Sequence, residues 1–271
     1  MKPLSATVQG VGLLGPGLEN WAAAIAVLTG SAPYLPQATV LPVPAALPAA
    51  ERRRTGAVVR LALAIGFEAV SRAGANAGEL PTVFSSSGGD GYNCHEICQT
   101  LTSQDRQISP TRFHNSVHNA ASGYWSIAAG ATPASSVLCA FDASFAAGLL
   151  EALTQVAVDR TSVLLIAYDA PYPEPLHAAR PIPEAFGVAI VLAPVSGGTV
   201  GPAAGSALIT AFMTDDPVDA MSDPQLESLR NTIPAARSLP LLAKLARQET
   251  GRVVLDYLDP QRVAVEVSTW P

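Results

Sequence analysis

Charge is scarce in this sequence. Lys, Arg, Asp and Glu make up 14% of its 271 residues, aromatic residues 6%, and there are three cysteines and four histidines. The net charge is −6, with Lys and Arg numbering only 16. A nucleic-acid binder needs a basic surface to neutralise phosphates, so nucleic acid is not a partner. The one basic run, "ERRR" at Glu51 to Arg54, opens a helical pattern and reads as a solvated face. Three cysteines cannot all pair and show no framework spacing, which points to a reducing, cytoplasmic setting. The start, "MKPLSATVQG", lacks the apolar stretch of a signal peptide. No apolar run is expected to reach membrane-spanning length with helical continuity.

Hydrophobic residues are plentiful, at 49%. A chain this long buries a sizeable core. "SATVQGVGLLGPG" reads as a strand followed by a glycine-rich turn. "LENWAAAIAVLTG" reads as a helix ending at Gly30, and a proline-rich loop follows. "ERRRTGAVVRLALAIGFEAVSRAG" has helical periodicity and stops at Gly74. Then come the buried strand "LPTVFSSSGG", a helix over "YNCHEICQTLTS", and a buried helix from the Ser-Pro start of "SPTRFHNSVHNAASGYWSIAAG". The strand "SSVLCAF", the helix "SFAAGLLEALTQVAV" and the strands "SVLLIAYDAP" and "EAFGVAIVLAP" complete the regular pattern. Apolar strands alternating with helices indicate an α/β layered fold with strands buried on both faces. Beyond Ser196 the pattern weakens: a strand at "GSALITAFM", helices broken by Pro234 and Pro240, and a strand pair around "DPQ".

Several motifs suggest chemistry and fail on context. Gly10, Gly12 and Gly15 match the dinucleotide fingerprint, but the second strand with its acidic end is missing, so a tight turn is expected. Cys94, His95 and Cys98 lack a second ligand pair for a metal and read as small buried side chains. His114 and His118 are four apart, each followed by an asparagine, Asn115 and Asn119. The Glu of a zinc-binding HExxH is absent, so hydrogen bonding to a neighbouring loop or subunit is expected. No G-x-S-x-G nucleophile turn exists, and Asp142 is placed to cap the helix after it. Neither metal nor cofactor is expected.

Residues 119 to 153 resemble the core of the β-ketoacyl synthase family. "NAASGYWSIAAG" and then "ATPASSVLCAFDASFAAGLLEAL" follow the family's order of asparagine, small-Gly pair, Ser-Ile, glycine, strand and nucleophile motif. The likeness runs over about the first 195 residues. "SPTRFHNSVHNAASGYW", "FDASFAAGLLEAL" and "YDAPYPEPL" resemble most the short ketosynthase-like proteins of aryl polyene gene clusters. The resemblance implies a thiolase-like α-β-α-β-α fold. Its first half would span residues 1 to 195, with a shortened second half in residues 196 to 271. On this match Cys139 and Ala140 stand in a Thr-Ala pair and Phe141 takes the place of the nucleophilic cysteine. The family's two catalytic histidines would lie beyond His177, the last histidine here.

The resemblance therefore implies a non-catalytic chain-length-factor subunit. It would pair with an active β-ketoacyl synthase across the strand at 135 to 141 and meet acyl carrier protein through that complex. Phe141 would fill the acyl site. Candidate interface or tunnel residues are His114, Asn115, His118, Asn119, Tyr124, Trp125, Cys139, Phe141, Asp142 and Phe145. The alternative is a stand-alone condensing enzyme or hydrolase using Cys139 or the His114/His118 pair. Cys139 is placed about 6–7 Å too early, inside the sheet and away from the helix N-terminus that would activate it.

Overall fold

The computed structural model describes residues 3–195 and 206–269. The expected boundary at 195/196 touches residues outside that set. The chain forms β1 (Leu4–Leu14), α1 (Trp21–Leu28), α2 (Ala49–Arg52), α3 (Ala57–Ala73), β2 (Thr82–Ser85), α4 (Gly91–Thr102), α5 (Pro110–His114) and α6 (Ala120–Ala129). It continues with β3 (Ser135–Leu138), α7 (Ser144–Asp159), β4 (Val163–Asp169), α8 (Leu176–Ala179) and β5 (Phe186–Ala193). Then follow β6 (Ala207–Thr214), α9 (Pro224–Thr232), α10 (Leu239–Ala246), β7 (Gly251–Asp256) and β8 (Arg262–Thr269).

The strands form one sheet in the order β3-β2-β4-β5-β1-β6-β8-β7. β3, β2 and β4 are parallel and the remaining pairs antiparallel. β1 joins two parts of the sheet. Its first residues, Leu4 to Val8, pair with β6, and Thr7 to Leu14 pair with β5, with a register shift at Gln9. The first part has five strands, and the shortened second part contributes three.

Every residue of β4 and β5 is buried, as continuous apolar strands require. On one face α3 and α6 pack through Leu61, Ile65 and Trp125. On the other, α7 and α10 share a core with β6, β7 and β8 through Phe145, Leu149, Leu241, Ile209 and Val265. On β7 and β8 the outward positions Arg252, Glu266 and Ser268 are exposed.

Three expectations need correction. Gly10 and Gly12 lie within β1, not in a turn. A Cβ at Gly10 would collide with the Ala69 carbonyl, and one at Gly12 with that of Ile65, so these glycines let α3 approach the strand. The turn is made by Gly15, which pairs with Leu18, and by Gly17 at φ +64. The helix expected from Pro110 onward is two helices, α5 and α6, separated by residues 115 to 119. The break is held by Asn115, which is buried, donates to the Arg54 carbonyl at 2.8 Å and accepts from the Tyr124 hydroxyl at 3.0 Å. Finally, one segment does reach membrane-spanning length. Phe141–Asp159 has 19 residues and a mean hydropathy of 1.2. It is α7 with its preceding turn, packed on β1, β2 and β4, so its apolarity serves the core.

Candidate functional site

The junction from β3 to α7 holds one of the three non-glycine residues with positive φ among the described residues. β3 ends at Leu138, three residues before the expected limit. The chain then passes Cys139 and Ala140 and turns sharply at Phe141, whose φ is +52. A left-handed conformation costs a bulky residue about 1–2 kcal/mol. Ser144 holds the turn. Its hydroxyl donates to the Phe141 carbonyl at 2.7 Å and accepts from the Ala140 N–H at 3.0 Å. The Ser85 hydroxyl fixes the Ser144 carbonyl from β2 at 2.5 Å.

Asp142 does not cap α7, as the sequence had suggested. The helix starts without a side-chain cap. Asp142 instead faces two guanidinium groups, Arg180 at 2.6 Å and Arg237 at 3.2 Å. The Arg180 guanidinium also stacks on Phe141, 3.7 Å from the ring centroid. Arg237 continues to Asp256 at 3.4 Å, and Arg230 meets the other oxygen of Asp256 at 2.6 Å. An ion-pair chain thus runs from the Phe141 turn into the second part of the fold. Its far end is Glu227, whose carboxyl is held down at about 2, chiefly by its hydrogen bonds from Arg230.

Behind the turn sits Asp169 at the end of β4. It is buried and accepts from the Ser87 N–H at 2.9 Å, the Ser87 hydroxyl at 2.5 Å and the Ala235 N–H at 2.8 Å. Burial pushes its pKa up to about 6, against the pull of these donors. The Ser87 carbonyl in turn accepts from the Cys139 thiol at 3.1 Å.

A cavity of about 480 Å³ opens beside Phe141, lined by Cys94, His118, Tyr172, Leu176 and Arg180 among others. Phe141 is a wall of this cavity and is 60% exposed. Cys94, Cys98 and Cys139 are all exposed rather than buried. Cys94 and Cys98 lie on α4, which covers a rim of the cavity instead of the core, and Cys139 lies past the end of β3. The Cys94 thiol is pushed up by partial burial and by the neighbouring Cys98.

The candidate residues therefore divide. Cys139, Phe141 and Asp142 meet at the turn, and His118 reaches the cavity. His114 packs edge-on against Tyr124 at 6.2 Å, while Asn119 and His118 are exposed in the loop between helices. Tyr124, Trp125 and Phe145 are each 1% exposed and belong to the core. Trp125 stacks on Phe67 at 4.7 Å. Among the described residues, no group of three or more His, Cys, Asp or Glu is placed to hold a metal. Asp169, Arg180 and Tyr172 were not singled out from sequence. An acid closing the apolar run "VLLIAYD" was the available signal for Asp169.

The family model described as β-ketoacyl synthase, N-terminal domain, matches residues 28–250. The chain belongs to the β-ketoacyl synthase family. Its fold is that of solved ketosynthases. It is similar to a chain of the ketosynthase ApeO in complex with its chain length factor ApeC from Xenorhabdus doucetiae, at 24% identity and a TM-score of 0.71, over 97% of this chain and 99% of that one. It is similar to the ishigamide ketosynthase/chain length factor, at 14% identity and a TM-score of 0.70, over the whole of both chains. A type II polyketide synthase complex of acyl-carrier protein and ketosynthase, AntDE:AntF, matches with 11% identity and a TM-score of 0.74, over 99% of this chain and 100% of that one. No curated protein sequence matches.

Proposed function

We propose that this chain is a non-catalytic, chain-length-factor subunit that pairs with an active β-ketoacyl synthase and shapes its acyl tunnel in aryl polyene synthesis. The observation that carries this reading is Phe141. It occupies the strained turn at the head of α7, where a thiol would gain the helix dipole and nearby backbone donors, and it brings a phenyl ring with no nucleophile. Cys139 stands before the turn with its thiol bonded to the Ser87 carbonyl, so it does not take that place.

A second support is β3. In its parallel pairing with β2, the carbonyls of Ala134 and Leu138 accept from Thr82 and Ser86. The backbone groups of Ser135 and Val137 therefore face away from the sheet. Among the described residues, no strand pairs with that side. Exposed apolar side chains at Phe113, Val117 and Phe141 add to the unpartnered surface of this first part of the fold. In this reading the partner's strand pairs with β3 and acyl carrier protein delivers substrate to the complex. His118 and Phe141 are then the candidate residues through which side-chain size limits the growing chain.

The test is co-expression with the ketosynthase encoded nearby, followed by size-exclusion chromatography with mass determination. A one-to-one complex is expected. A chain that remains alone or pairs only with itself would overturn the reading and favour a solitary enzyme. Within the complex, smaller residues at the tunnel should lengthen the partner's products.

A further inference from the structure

We propose that Cys94 and Cys98 on α4 form a two-coordinate site for a soft monovalent cation, of which copper(I) is the type. The site does not depend on pairing with a ketosynthase.

Both thiols are exposed. They are four residues apart on a regular helix, so they lie on one face, one above the other. Asn93 is the one buried residue of α4, and the side of the helix that carries the two thiols meets solvent. The two sulfurs act on one another, since Cys98 is among the groups that push the Cys94 thiol up. Cys139 is not part of this pair, because its thiol is bonded to the Ser87 carbonyl.

Spacing selects what can bridge the pair. Side chains one turn apart have Cβ atoms about 5–6 Å from each other. A disulfide needs about 3.5–4.5 Å, so direct oxidation would have to distort the helix. An ion between the sulfurs removes that mismatch. With metal–thiolate bonds of about 2.3 Å, a linear bridge sets the sulfurs roughly 4.6 Å apart, against about 2 Å in a disulfide.

Ligand number selects the metal. Zinc asks for four protein ligands in a structural site, or for three and a water. The surroundings do not supply them. Glu96 is paired with Arg112 at 2.7 Å, and among the described residues no group of three or more His, Cys, Asp or Glu is placed to hold a metal. Soft thiolates select copper(I), and two of them in line satisfy that ion. The second ligand pair, whose lack argues against zinc, is not needed here. Binding exchanges two S–H protons, released to solvent, for two Cu–S bonds. The metal stays monovalent and no electron is transferred.

The experiment titrates the reduced full-length chain, without oxygen, into the copper(I) complex of bicinchoninate, whose colour fades as the metal leaves. The wild type should take one equivalent of copper(I) per chain. Cys94→Ser and Cys98→Ser should each bind at least tenfold more weakly, and Cys139→Ser should match the wild type. Each replaces an exposed sulfur by oxygen, so an unchanged melting temperature is expected. The double substitution Cys98→Ser/Gln99→Cys separates this site from a general affinity of copper for thiols. It keeps three thiols but moves one about 100° around the helix, at an exposed position. It should bind as weakly as Cys98→Ser. If the chain is handled only in a ketosynthase complex, Cys94→Ser should lower the copper content of that complex by one equivalent. Uptake retained by the double substitution, uptake lost in Cys139→Ser, or one copper shared between two chains would each overturn the proposal. Absence of uptake by the wild type would do the same.

Discussion

The two edges of the sheet are built on opposite principles. β7 is closed. The Asp219 N–H donates to the Val254 carbonyl at 3.0 Å, and its carboxylate takes the Val254 N–H at 2.7 Å, so a loop occupies the ladder position of a ninth strand. Arg252 and Asp256 add charge along the same strand, and Arg252 pairs with Asp216 at 2.5 Å. β3 has none of this. Its four residues, Ser135 to Leu138, carry no charge, and the outward groups of Ser135 and Val137 meet no strand or capping side chain among the described residues. Proteins protect free edges with charge, coverage or brevity. Here one edge has all the protection, and the other has only its shortness. An unprotected edge that runs on to an exposed Phe141 is what a partner would cover.

The largest expected effect concerns what keeps both edges in one rigid body. Asp169 joins β4 to the Ala235 turn of the second part and to the Ser87 loop beside β3. Asp169→Ala orphans three donors, at about 1–3 kcal/mol for each one left without an acceptor, and should cost at least about 3 kcal/mol in denaturant unfolding. The pH dependence has a definite sign. The folded Asp169 carboxyl, at about 6, holds its proton more tightly than the unfolded one, whose ordinary value is 3.8. Its contribution is therefore fullest below about 4 and declines as pH rises to about 6. Glu227 acts oppositely, and its contribution is lost as pH falls below its ordinary 4.5 toward about 2. Between pH 5 and 6 the wild type should lose stability as pH rises more steeply than Asp169→Ala, which keeps only the slope from Asp90, whose carboxyl burial also pushes up. A common slope for both proteins would remove Asp169 from this role.

The next effect breaks the open edge. Val137→Pro deletes an outward N–H while leaving the β2 ladder intact. It should weaken the ketosynthase complex at least tenfold, about 1.4 kcal/mol, with little change in the melting temperature of the chain alone. An undiminished complex would move the interface elsewhere. The converse experiment opens the closed edge. Asp219→Ala removes the acceptor of Val254 and should cost about 1–3 kcal/mol. It should also introduce concentration-dependent self-association, read by light scattering. If Asp219→Ala stays monomeric, edge closure is not what separates β7 from β3.

Much of this contrast was legible in the sequence, and some of it was not, for a physical reason. β4 and β5 announce themselves as unbroken apolar runs because both of their faces are covered. The β7–β8 hairpin shows through its alternation and the "DPQ" turn. Phe141 was legible through family resemblance, since nothing local marks a left-handed phenylalanine. Gly10 and Gly12 misled because a glycine required by helix residues 53 or more positions away looks like a turn glycine. The Asp142 ion pairs span 38 residues to Arg180 and 95 to Arg237, so a cap was the natural local reading. The cysteines misled likewise, because exposure depends on which layer covers a helix, and α4 packs on the short α5 rather than on the core.

The smallest effect is the one that decides whether the first edge belongs to an enzyme. All three thiols are exposed, so access does not distinguish them, and alkylation rates report thiolate fraction and nucleophilicity. Cys94 should react the slowest, held protonated by partial burial and Cys98. Cys139 donates its thiol to the Ser87 carbonyl and sits outside the turn that would activate it. It should therefore show no enhanced rate at neutral pH. Phe141→Cys moves a thiol two residues on, to the head of α7 and beside Arg180, where the helix dipole and the guanidinium both favour the thiolate. Iodoacetamide should label this new thiol several-fold faster than Cys139. That order would mean the turn still activates a nucleophile that the wild type does not carry there. A Cys139 faster than the introduced Cys would mean that activation resides before the turn, and the solitary-enzyme reading would then be the stronger one.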